Sequence, residues 1–72
     1  MVLIVNSIYD IQQLLKKYGT VIYIGKRLYD LQLMEDELKE LYQSQLVDPK
    51  EFQTALLIIR HEIQIEKEKQ ID

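Results

Sequence analysis

A chain of 72 residues, 47% apolar and 29% charged, has the make-up of a globular domain and is too apolar for a disordered one. At this length it supports one core, so a single domain over residues 1–72 is expected. The lack of cysteine removes disulfide staples and thiolate metal sites, and a net charge of −3 with a pI near 5.0 argues against a general duplex-DNA binder, which presents a wide basic face.

The leader MVLIV has no basic start and is shorter than the roughly 7–15 apolar residues of a signal peptide core. No run approaches the roughly 18 apolar residues that span a bilayer. The expectation is a cytoplasmic protein with no membrane contact. A first helix is predicted over residues 7–18: the Ser7 hydroxyl can cap it, with Asp10 three residues on to reach back. Ile8, Ile11, Leu14, Leu15 and Tyr18 recur at spacings of three and four, which gathers them on one face, and Gly19 follows as a left-handed terminator. Thr20 to Ile24 is β-branched and aromatic, but a single short run without a partner makes no sheet, so an extended connector closed by Gly25 is expected.

A second helix is predicted over 28–44, with Leu31, Met34, Leu38, Leu41 and Tyr42 inward and most of its acids toward water. Asp48-Pro49-Lys50-Glu51 is the strongest local signal, an acid before a proline in the first helical position and a glutamate two residues later, and a third helix is predicted over 49–67. At 100° per residue Phe52, Ala55, Leu56, Ile59 and Ile63 share its inner face, while Leu57, Ile58, His61 and Ile65 fall nearly opposite. The fold class is therefore all-α, a compact three-helix array of the orthogonal-bundle type.

Little in the sequence supports catalysis. His61, the one histidine, has no cysteine or second histidine at ligand spacing, so no metal is expected. Glu35, Asp36, Glu37 and Glu40 diverge around their helix and read as a solvated face. Gly19 and Gly25 lack the spacing of a phosphate-cradling loop. No enzyme activity and no cofactor are expected.

The unusual feature is charge segregation. Residues 11–29 contain no acid but hold Lys16, Lys17, Lys26 and Arg27, whereas residues 30–72 hold eleven acids against five bases. If the two basic pairs meet across the connector, they make one positive patch on an acidic molecule. Tyr23 and Tyr29 lie among those bases, and an aromatic ring beside lysine or arginine lets a single strand rest its phosphates on charge and stack a base on the ring. The residues nominated to contact single-stranded nucleic acid or another polyanion are thus Lys16, Lys17, Tyr23, Lys26, Arg27 and Tyr29. A plainer reading is also open: Lys16 and Lys17 complement the dipole at the end of the first helix. Lys26 and Arg27, which precede the second helix, oppose its dipole and have no such reason. A different class of function, a protein–protein adaptor or small homo-oligomer, would use Leu57, Ile58, His61 and Ile65 with the MVLIV leader, because an apolar stripe facing solvent marks an interface. Alternatively the leader folds over that stripe within one chain.

Three blocks, YDIQQLLKKYGT, LMEDELKELYQSQL and EFQTALLIIRHEI, stand in an order and spacing that resemble the YqgQ-like family of small uncharacterised proteins of Gram-positive bacteria. The resemblance covers about residues 8–65 and implies a three-helix, all-α cytoplasmic domain. It implies no activity and carries over no catalytic or ligand residue, and single-stranded nucleic acid binding is only a suggestion there.

Overall fold

The computed structural model describes residues 5–69 of the chain. Ser7 opens the first helix, α1 (Ile8–Lys17), and its hydroxyl accepts from the Asp10 N–H at 3.3 Å. The Asp10 carboxylate reaches one residue beyond the cap and accepts from the Asn6 N–H at 2.9 Å, so the capping box closes on the residue before Ser7. At the other end Gly19 takes φ +87° and donates to the Lys16 carbonyl, while Thr20 donates to the Leu15 carbonyl at 3.0 Å. This paired closure is the Schellman motif, and glycine holds its left-handed position without strain.

Helix α2 (Arg27–Gln43) ends in the same motif: Gln45 donates to the Tyr42 carbonyl and Leu46 to the Leu41 carbonyl. Here the left-handed residue is Gln45 at φ +62°, a non-glycine residue where the chain would accept glycine at lower cost. Helix α3 (Pro49–Lys69) begins at the proline, with the Asp48 carbonyl accepting from the Phe52 N–H at 2.8 Å. It runs two residues beyond the range predicted from periodicity. The charged end is held by side-chain contacts within the helix, Gln64 to Glu68 and Lys69 to Glu66, each at 3.4 Å.

The second and third helices lie antiparallel. Three contacts in order along both elements show it: Tyr42 stacks on Phe52 with ring centroids 4.2 Å apart, Arg60 meets Glu35 at 3.4 Å, and Arg27 meets Glu62 at 3.7 Å. Helix α1 packs across both, and its C-terminal end is tied to the loop between them by the Tyr18 hydroxyl, which donates to the Leu46 carbonyl at 3.0 Å. The array is the all-α, three-helix fold the sequence implies, and the described residues contain no strand.

The shared core consists of Ile8, Ile11, Leu14 and Leu15 from α1, Leu31, Met34 and Leu38 from α2, and Ala55 and Ile59 from α3. Burying a side chain the size of leucine or isoleucine contributes about 1.5–3 kcal/mol, so this cluster supplies the main stabilisation of a chain without staples. Val5 and Val47 complete the core from outside the helices. Whether the MVLIV leader covers α3 concerns residues 1–4, which lie outside the described residues.

Candidate nucleic-acid interface

The connector is positioned at both ends by α2. Thr20 Oγ1 donates to Glu37 Oε2 at 3.4 Å, and the Ile24 N–H donates to Asp30 Oδ1 at 2.8 Å. Glu37 and Asp30 are separated by about 10 Å of helix at 1.5 Å per residue. Four residue steps reach about 13 Å at about 3.3 Å each, so a largely extended chain covers this span. In an extended chain side chains alternate, and the burial follows: Ile22 packs against the core, whereas Val21 and Tyr23 are 77% and 86% exposed. Gly25 at φ +95° then turns the chain into α2.

This geometry divides the six nominated residues. Lys16 and Tyr23 rim one concavity of about 240 Å³ between α1 and the connector, which is floored by Leu15 and Met34. Lys26, Arg27 and Tyr29 line a second of about 420 Å³, where α2 begins against Glu66 of α3. The two concavities share no lining residue. Lys17 belongs to neither, and its Nζ stands 5.7 Å from the Tyr18 ring centroid. Lys26 Nζ stands at the same distance over Tyr29, within cation–π range.

The bases also differ in what neutralises them. Arg27 is engaged by Glu62 of α3, and Glu66 borders the same hollow, so this arginine contributes least positive field. Among the described residues Lys16, Lys17 and Lys26 enter no ion pair within 4.0 Å, unlike Lys39, Arg60 and Lys69. The dipole at the end of α1 accounts for Lys16 and Lys17, whereas Lys26 sits at the start of α2 with no side-chain cap. Asp30 in the first turn of α2 offsets that unfavourable charge while it holds the connector.

The family model described as YqgQ-like matches residues 5–65, more than four fifths of the chain. The chain belongs to the YqgQ-like family. A Bacillus subtilis (strain 168) relative, named uncharacterized protein YqgQ, is 39% identical over 59 residues, which are 82% of this chain and 83% of the relative. The matched segment contains the core from Val5 to Ile59, the connector and all six nominated basic and aromatic residues.

The opposite face of α3 is less uniform than its periodicity suggests. Leu57 is 71% exposed and His61 is exposed, but Ile58 packs against the core and Ile65 is half-buried. The four residues therefore do not form one open apolar stripe. Among the described residues no helix is long and apolar enough to cross a membrane, and no three acidic, histidine or cysteine side chains converge to hold a metal. Sequence patterns gave no signal for Gln12, Gln13 and Met34 at the first concavity, because they come from two helices distant in the chain.

Proposed function

We propose that the protein is a non-enzymatic cytoplasmic binding module that takes single-stranded nucleic acid along the surface formed by the end of α1, the connector and the start of α2. The observation that carries this reading is that the three lysines of this surface that enter no ion pair each lie near a tyrosine: Lys16 lines one hollow with Tyr23, Lys17 stands over Tyr18, and Lys26 stands over Tyr29. Lysine ammonium groups hold phosphates, and the open faces of Tyr23 and Tyr29 stack on unpaired bases. A duplex offers the phosphates without the base faces, and the net charge of −3 keeps the phosphate component small. Arg27 contributes little, because Glu62 already engages it.

Fluorescence anisotropy with a labelled single strand tests this reading. With three lysine contacts, log K falls with log salt at a slope of about −2 for a single strand. Tyr23→Ala weakens binding by about 1–3 kcal/mol, the usual stacking contribution, and leaves the slope unchanged. A duplex of the same length binds more weakly. No binding at low salt, or a preference for duplex, refutes the reading.

A second reading is an interface with another protein or with itself. It rests on Leu57 and His61, the two residues of the nominated stripe that stay exposed and stand one turn apart on α3. Light scattering that gives a monomer mass at millimolar concentration removes the self-association form of it.

A further inference from the structure

The hollow between α1 and the connector differs from the other surface depressions in its chemistry. Its floor is apolar and fixed, made by Leu15 and Met34, each only 1% exposed. Its rim carries Gln12 and Gln13 from α1, Thr20 at the bend, the exposed Val21, and Lys16 with the exposed Tyr23 ring; no carboxylate lines it, and the nearby Glu37 is engaged by the Thr20 hydroxyl at 3.4 Å. The hollow at the start of α2, by contrast, includes Glu66. A volume of about 240 Å³ lies below the roughly 300–1,000 Å³ that accommodates drug-sized ligands, so it suits a single ring system rather than a whole nucleotide.

We infer that this hollow is a subsite for one unpaired nucleobase, a proposal that rests on the single-strand reading above and specifies where a base is read. The base lies over the apolar floor with Tyr23 along one side. The carboxamides of Gln12 and Gln13 each offer two N–H donors and one carbonyl acceptor, the complement that a base presents along its Watson–Crick edge. Lys16 meets the phosphate attached to that nucleotide. The alternative occupant of a small apolar hollow, a phenylalanine side chain of a partner protein, makes no use of the two carboxamides, whereas a base carries an anionic phosphate that Lys16 complements. Lys17 and Lys26 then hold phosphates outside the hollow.

Nuclear magnetic resonance of the full chain, labelled at methionine methyls and glutamine side-chain amides, tests the subsite directly. Titration with nucleoside 5′-monophosphates moves the Met34 methyl and the Gln12 and Gln13 amide signals saturably, and ribose 5-phosphate at equal concentration does not. Gln12→Leu combined with Gln13→Leu, both on the exposed side of α1, abolishes the Met34 shift while helical content stays constant. A labelled strand with abasic positions throughout binds about 5- to 150-fold more weakly than the intact strand. The inference is overturned if Met34 stays still, if ribose 5-phosphate moves it equally, or if the double variant leaves the shift intact. It is also overturned if a short acidic peptide containing phenylalanine moves Met34 where nucleotides do not. Equal, salt-sensitive binding of the abasic and intact strands removes the subsite but leaves phosphate contact by the lysines, which separates the two failures.

Discussion

The two Schellman closures form a natural pair, because α1 ends on Gly19 and α2 ends on Gln45 with the same hydrogen bonds. A non-glycine residue in the left-handed region costs about 1–2 kcal/mol, whereas glycine avoids that strain but loses more freedom on folding, about 0.5–1 kcal/mol. Gln45→Gly should therefore stabilise the protein by about 0.5–1 kcal/mol, and the converse Gly19→Ala should destabilise it by a similar amount. A Cβ at Gly19 meets nothing within 4 Å, so its cost is conformational rather than steric. For a domain of this size 1 kcal/mol corresponds to about 4–8 °C in Tm, so differential scanning calorimetry resolves both changes. Gly19→Ala carries a second effect: the turn at Gly19 aims Thr20 toward Glu37, so the variant should also lower amide protection along the connector, while Gln45→Gly leaves it unchanged. A Gln45→Gly protein that melts below the parent refutes the reasoning, since the Gln45 side chain would then be making a contact worth more than the strain.

Glu62→Gln releases Arg27 and should steepen the salt slope of single-strand binding by about 0.7, one additional phosphate contact, measured by anisotropy. Asp30→Ala removes the acceptor of the Ile24 N–H at 2.8 Å; hydrogen exchange should show faster exchange at Ile24, and chemical denaturation a loss of about 1.5 kcal/mol, the lower end of the range for hydrogen bonds to charged groups because the site is exposed. Leu57→Ser should change stability by less than about 0.5 kcal/mol, whereas Ile58→Ala should cost more than 1 kcal/mol, because only Ile58 packs against the core.

What could be read from the chain follows the range of the interactions involved. Helix starts at Ser7 and Pro49 and the stop at Gly19 are local, set by residues a turn apart, and the inward faces of α1 and α2 follow from spacing except at Tyr18 and Tyr42, which spacing placed inward and which are 36% and 37% exposed, each ring lying at the edge of the core. The end of α2 at Gln43 lies one residue from the predicted 44, but the left-handed turn at Gln45 escaped because glutamine is not a residue that signals one, and tertiary closure by Leu46 and the Tyr18 hydroxyl holds it there. The extension of α3 to Lys69 escaped because its charged end has no apolar period and is supported by contacts along its own surface.

At the candidate site, charge segregation and the tyrosines were visible in the sequence. Their partition was not. Arg27 and Glu62 are 35 positions apart, so only the antiparallel pairing of α2 with α3 reveals that this arginine is engaged. The same pairing turns Ile58 inward, although its angular position on an isolated helix places it with Leu57. The alternation of Val21, Ile22 and Tyr23 was implicit in an extended connector, but the side that faces water depends on the anchors at Glu37 and Asp30.

The most direct test of the account is photo-crosslinking of a 5-iodouracil-substituted single strand to the full chain, with the attachment site located by mass spectrometry. The account predicts attachment at Tyr23, with Tyr29 the secondary site and both lost when Lys16, Lys17 and Lys26 are changed together to glutamate. Attachment confined to α3 around Leu57 and His61, or none under conditions where a known single-strand binder is labelled, contradicts it.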